Sequence, residues 1–282
     1  MMYETIKVDV SNKIMTITLN RPDQLNAYNR QMQNDFIHAL DRADSDDEVR
    51  VVIVTGEGRA FCAGADLEKG GETFGFEGSI EEHRDGGGIL ALRIYELKKP
   101  IIAAINGPAV GIGATMTLPM DVRIASDKAK MGFVFARRGI TQEACSGWFL
   151  PRIVGISQAM EWVSTGRIFK AEEALEKNLV SNVVPLGELM DTAVSLGREI
   201  ADNTSAISVA LSRQLMWKMM GADHPMEAHK IESKYLYWVG KREDAREGVN
   251  SFLEKREPNF DMKPSTDMPE FYPWWEERTF KS

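Results

Sequence analysis

Arg59-Ala-Phe-Cys-Ala-Gly-Ala-Asp-Leu67 and Ile105-Asn-Gly-Pro-Ala-Val-Gly-Ile-Gly-Ala-Thr-Met116 are the two stretches on which the fold turns. Each follows a short apolar run that reads as a buried strand, residues 49–55 before the first and 101–105 before the second. Small residues after a strand let a ligand approach the backbone, because no Cβ stands in the way. Two such loops at the ends of neighbouring parallel strands can aim two backbone N–H groups at one oxygen, the geometry of an oxyanion hole. Either segment alone reads as a tight strand-to-helix turn. The pair, in this order, carries the functional reading.

Outward from these loops, strand and helix signals alternate. Residues 4–10 and 13–19 alternate apolar and polar around Ser11-Asn12, which predicts a hairpin. Asn29 can cap a helix with Met32, Phe36, Ile37 and Leu40 on its apolar face. Residues 68–88 carry seven glycines and read as a mobile loop. A helix over 88–98 stops before Pro100, one near 112–118 follows the second loop, and residues 121–126 read as a strand. This is the pattern of a parallel α/β sheet. From Glu199 the pattern becomes helical, over 206–220, 225–239 and 242–255. The Pro-rich tail from Pro258 holds Phe271, Tyr272, Trp274, Trp275 and Phe280, and is expected to dock on the body or on a neighbour. The organisation expected is a core over 1–198, a helical region over 199–257 and an aromatic tail over 258–282.

Composition narrows the function. The 282 residues carry a net charge of −8, which argues against broad nucleic-acid binding but leaves room for a phosphate-bearing ligand held locally. Cys62 and Cys145 are the only cysteines, too few for a disulfide framework and suited to a reducing compartment. The N-terminal segment lacks the apolar core of a signal peptide, and no apolar stretch approaches the ~18–20 residues that span a bilayer. A soluble, cytoplasmic protein is expected. There is no Gly-x-x-x-x-Gly-Lys-[Ser/Thr] segment, no Gly-x-Gly-x-x-Gly at Gly107 to Gly113 and no Gly-x-Ser-x-Gly elbow. P-loop, dinucleotide and ordinary serine-hydrolase chemistries therefore lack support. His224 and His229 are off one helical face and unaccompanied by a cysteine pair, so no metal site is expected.

Asn20-Arg-Pro22 with Asn26-Ala27, the two glycine loops, Phe149-Leu-Pro-Arg-Ile-Val-Gly155 and Leu179-Val-Ser-Asn-Val-Val184 resemble, in order, the landmarks of the crotonase (enoyl-CoA hydratase/isomerase) superfamily. The resemblance covers nearly the whole chain. It implies a ββα superhelix core with a helical C-terminal region used in oligomer assembly, as a homo-trimer or hexamer. It also implies an acyl-CoA thioester whose carbonyl oxygen sits between the backbone N–H groups of Ala65 and Ile112. Ala63, Asp66 and Leu67 would lie along the CoA. No cofactor is needed, because CoA arrives as part of the substrate. Fixed backbone donors suit this chemistry, since proton transfer α to a thioester creates an enolate-like oxygen.

The departures matter as much. Relatives that hydrate enoyl-CoA use two glutamates, and Thr115 and Phe135 occupy those positions here. Glu143 falls where related isomerases place a working carboxylate. The sequence leaves it two roles, acid/base or an acid in the first turn of a helix. Arg137 and Arg138 are open to stabilising a carboxylate or CoA phosphate, or to being plain surface residues. Hydratase/isomerase chemistry is the expected class. The rivals are C–C bond or thioester hydrolysis on the same scaffold, and a non-catalytic acyl-CoA-binding protein.

Overall fold

A computed structural model describes residues 3–280; Met1, Met2, Lys281 and Ser282, and with them the very start of the N-terminal segment, lie outside the described residues. The chain opens with β1 (Ile6–Ser11) and β2 (Ile14–Leu19), the expected hairpin, turning on Asn12 and Lys13, which both take positive φ. Then come α1 (Arg30–Ser45), β3 (Val51–Gly56), α2 (Gly86–Glu96), β4 (Ile101–Ile105), β5 (Ala109–Val110) and α3 (Ile112–Thr115). Next are β6 (Val122–Ser126), β7 (Lys130–Gly132), α4 (Ser146–Val154), α5 (Ile156–Thr165), β8 (Ile168–Lys170), α6 (Ala171–Glu176) and β9 (Asn182–Val184). Four helices finish the fold: α7 (Leu189–Asn203), α8 (Ala206–Met219), α9 (Pro225–Val239) and α10 (Glu243–Glu254).

Six strands form one sheet in the order β1-β2-β3-β4-β6-β9, and β5-β7-β8 form a second. Apart from the β1–β2 hairpin, the large sheet is parallel throughout. β3 and β4 are buried along nearly their whole length, as unbroken Val/Ile/Ala runs require when both faces are covered. One face packs against α1 and α2 through Phe36, Leu40, Leu90 and Ile94. The other packs against α7 through Leu189, Ala193 and Ala201. Each large apolar side chain among these, fully buried, stabilises by about 1.5–3 kcal/mol. The expected α/β class with a helical C-terminal region is what the chain forms.

Local details differ from expectation for physical reasons. Asn29 does cap α1, its side chain accepting from Met32 N at 2.9 Å. The helix after the second loop is a single turn, beyond which Thr117 N and Leu118 N bond three residues back, to Ala114 O and Thr115 O, in a tighter 3₁₀ pattern. α2 starts two residues before the expected Gly88, since Asp85 caps it across the glycine run. The helical pattern sets in at α7, so a division between residues 198 and 199 passes through a helix that packs on the sheet. The aromatic tail docks on its own chain: Met262, Met268, Phe271, Tyr272 and Trp274 pack on Ile207, Leu211, Ile231 and Tyr235 of α8 and α9.

Candidate active site

The two glycine loops meet at the C-terminal ends of β3 and β4, and they are laced together by backbone. Phe61 N and Cys62 N both donate to Pro108 O at 3.1 Å, and Val110 N donates to Cys62 O at 3.0 Å. A Cβ on Gly113 would stand 2.0 Å from Cys62 O, and one on Gly107 2.2 Å from Arg59 O. No side chain larger than hydrogen fits at either position. Gly64 and Gly111 face each other across the seam, a Cβ on Gly111 reaching within 3.8 Å of Gly64 Cα.

The predicted donors follow these two glycines. Ile112 is the first residue of α3, so its N–H has no intrahelical carbonyl to bond. Ala65 pairs with Tyr28 in a parallel bridge that uses Gly64 O and Asp66 N, at 2.8 Å each. That bridge leaves the N–H of Ala65 itself unused. Of the residues expected along the CoA, Ala63 donates its N–H to Leu25 O at 3.0 Å, and the Leu67 side chain is exposed. The Asp66 carboxylate pairs with Arg21 at 2.7 Å, and that hydrogen bond holds it below its ordinary pKa.

Glu143 lies in the loop before α4 and turns its carboxyl inward. Thr115 Oγ1 donates to Glu143 Oε1 at 2.5 Å. Oε2 faces α2, where a Cβ on Gly87 would lie 1.8 Å from it and 2.8 Å from Ile112 Cδ1. Glu143 therefore stands beside the residue that carries the second predicted donor. Burial pushes its carboxyl up to about 8, against the Thr115 hydrogen bond and with Asp85 adding repulsion. Phe135, expected from the sequence to replace a glutamate of hydrating relatives, is buried and packs toward Gly111, lining this region with hydrocarbon. Arg137 and Arg138 are exposed, and Arg137 Nε donates to Thr165 O at 2.8 Å, away from Glu143. Cys62 is buried with its thiol pushed up to about 12, which fits a packed residue and not a nucleophile.

Sequence reasoning missed the supports. Asn26 is buried with φ 56, accepting from Arg21 N and donating to Glu57 O and Ala60 O, which ties its segment to the turn that leads from β3 into the first loop. Tyr28 is half-buried beside Glu143, its hydroxyl donating to Gly86 O at 3.4 Å. Asp85 accepts from Ala144 N at 2.8 Å. The Asn26-Ala27 signature was the one available signal for the first. Nothing local marks the other two.

The enoyl-CoA hydratase/isomerase family model matches residues 9–263. The chain belongs to the enoyl-CoA hydratase/isomerase family. It is 44% identical over 262 residues to an enoyl-CoA hydratase of Alternaria alternata, covering 92% of this chain and 87% of that protein. It is 34% identical to the 1,2-epoxyphenylacetyl-CoA isomerase of Escherichia coli, over 93% of this chain and all of that one. The crystal structure of the enoyl-CoA hydratase from Bacillus anthracis superposes with a TM-score of 0.83 at 32% identity, over 91% of this chain and 99% of that one. Membership makes the chain an acyl-CoA-processing enzyme of the hydratase/isomerase type, a lyase or an isomerase.

Proposed function

We propose that this enzyme binds an acyl-CoA thioester with its carbonyl oxygen between the N–H groups of Ala65 and Ile112. Glu143 then moves the proton at the carbons next to that carbonyl. The observation that carries the reading is the inward Glu143 carboxyl, held by Thr115 and packed against the Ile112 side chain at the seam of the two loops. As a proton leaves the α-carbon, charge grows on the thioester oxygen, and preorganised N–H donors stabilise it without reorganising. One such donor is worth roughly 3–4 kcal/mol of barrier. A carboxyl poised near neutral pH can both accept and return a proton, which is what double-bond isomerisation asks of one group. Thr115 and Phe135, standing where hydrating relatives carry glutamates, favour isomerisation over hydration. Ala63, Asp66 and Leu67 are proposed to run along the CoA, Asp66 being held in place by Arg21. No metal or redox group enters this chemistry, and two free cysteines suit a cytoplasmic setting.

Glu143→Gln, assayed on matched 2-enoyl- and 3-enoyl-CoA esters, should lose about 10²–10⁴-fold in turnover. Affinity for the ester should stay within a few-fold. Wild-type turnover in this variant would overturn the acid/base role. CoA-ester binding without turnover in the wild type would favour the binding-protein alternative, and release of free CoA would favour hydrolysis.

A homo-trimer or hexamer built through α8, α9 and α10 is proposed with it. The tail covers one face of α8 and α9, yet Leu236 is 72% and Phe252 81% exposed, and Met216, Tyr237 and Leu253 are also bare. A monomer rarely leaves so many large apolar side chains wet on neighbouring helices, and closed symmetry covers them most simply. Light scattering showing a 31.6 kDa species at micromolar concentration would remove this part of the proposal.

A further inference from the structure

We infer that Asp85 is a positioning residue for Glu143: its carboxylate pins the left-handed Ala144–Cys145 turn to the N-terminus of α2, and so fixes where the Glu143 carboxyl stands. The inference deepens the proposed function and rests on Glu143 being the acid/base.

Ser146 N donates to Glu143 O at 3.0 Å, closing a four-residue turn. Its two central residues, Ala144 and Cys145, have φ of 55° and 54°. A turn with both central φ positive is one that glycine, asparagine and aspartate adopt readily and that alanine and cysteine resist. Something outside the turn must hold it. The turn's own hydrogen bond makes no use of the Ala144 N–H, and that group donates to Asp85 Oδ2 at 2.8 Å. The same oxygen accepts from Gly88 N at 2.8 Å, while Oδ1 accepts from Gly87 N at 2.9 Å. One carboxylate thus spans two elements, the start of α2 and the strained turn that carries Glu143. Gly87 closes the arrangement, because the residue capped by Asp85 is also the one against which Glu143 Oε2 rests.

The charge matters alongside the geometry. Asp85 repels the ionised form of Glu143. The other titratable groups facing Glu143 are Tyr28 of the first bridge, Cys62 of the first loop and Cys145 of the turn. Burial raises all three, so they stay neutral near pH 7, and Arg84 acts on the Cys145 side. Asp85 therefore does two separable things: it holds the turn, and it biases the carboxyl toward its protonated form.

The test compares the full-length wild type with Asp85→Ala, Asp85→Asn, Glu143→Gln and the Asp85→Ala/Glu143→Gln double variant. Rates are measured on the 2-enoyl- or 3-enoyl-CoA ester that the wild type turns over fastest. Asp85→Ala should lower kcat tenfold or more with KM within threefold. Asp85→Asn keeps an acceptor for the turn and removes the charge. It should recover most of kcat and move the midpoint of the alkaline rise in kcat/KM to lower pH. The Asp85→Ala/Glu143→Gln variant should be no slower than Glu143→Gln alone. Asp85→Ala within twofold of wild-type kcat, or an Asp85→Asn midpoint that stays in place, would overturn the inference. Wild-type turnover in Glu143→Gln is a different failure, that of the acid/base reading itself. A readout free of substrate stands beside these. The change in Tm caused by Glu143→Gln, followed against pH, reports the titration of the carboxyl that this substitution removes. Measured in the wild-type background and again in the Asp85→Asn background, the pH range of that change should shift downward in the second. An unshifted range would overturn the electrostatic half.

Discussion

The two laced loops and the segment between residues 68 and 84 are both rich in glycine, and they use it for opposite ends. In the laced loops glycine is there because another backbone is too close. A Cβ at Gly107 or Gly113 would lie 2.0–2.2 Å from a carbonyl oxygen. In the intervening segment nothing lies within 4 Å of a Cβ at Gly70 or Gly71. Hydrogen bonds there are local, Thr73 to Gly70, Gly75 to Glu72 and Glu82 to Ser79, and Ile80 is 85% exposed. One region is a fixed frame for two N–H groups; the other is a length of chain with little to hold it. Glycine count alone does not separate a close-packed frame from a sparsely held loop, whereas the neighbour of the absent Cβ does.

The largest way to break that contrast is a pair of alanine substitutions. Gly113→Ala must push α3 off Cys62 O, and both atoms belong to backbone that cannot yield cheaply. It should cost more than about 3 kcal/mol and leave little folded, active protein. Gly71→Ala meets nothing and should be neutral or stabilise by about 0.4–1 kcal/mol through the unfolded chain. Chemical denaturation of the two variants checks both values. Similar costs at the two sites would erase the distinction between close approach and free chain.

How much of this was legible in the sequence follows from the range of each interaction. The laced loops were, because an apolar run followed by small residues is a local pattern, and the order of two such patterns is specific. The Asn29 cap and the strand at 101–105 were legible for the same reason. Glu143 could be picked out only as a position within a motif. Its surroundings were hidden, because Thr115 and Asp85 reach it from elements far away in sequence. The turn that aims it was hidden too, since Ala144 and Cys145 carry no signal for positive φ. Asp85 itself sits before Gly86-Gly-Gly88, a run that reads as loop although it opens a helix. What depends on neighbours in space was out of reach, and that includes the supports of the proposed chemistry.

A second test sharpens the frame side of the contrast through Glu143. In the folded protein its carboxyl is raised from an ordinary 4.5 to about 8, so folding favours the protonated form. That contribution to stability is fully present below pH 4.5 and is lost progressively as pH rises through 8. Glu143→Gln, which cannot ionise, should match the wild type near pH 4. It should become steadily more stable than the wild type up to pH 8, by an amount on the order of 4 kcal/mol, and then level off. Thermal melts across this range decide the matter. Equal stability at pH 8.5 would mean that the carboxyl is not held in a water-poor frame.

The smallest effect is expected on the sparsely held side. Phe74, Phe76 and Ile80 expose apolar surface on a segment with local hydrogen bonds, and Phe76 packs its ring against His83 nearby, centroids 4.8 Å apart. Ordering such a segment costs backbone entropy of about 1–2 kcal/mol per residue. It closes only where a ligand supplies new apolar contact. An acyl chain held at the seam of the two loops is expected to offer that contact, in the manner of a closing loop. Amide hydrogen exchange at saturating hexanoyl-CoA should therefore slow by a few-fold in residues 73–84. Exchange in the rest of residues 59–66 and 105–113, already bonded backbone to backbone, should barely change, the Ala65 and Ile112 amides that receive the thioester oxygen being the exceptions. Slowing confined to the laced loops would reverse the contrast, and identical exchange everywhere would remove the closing motion.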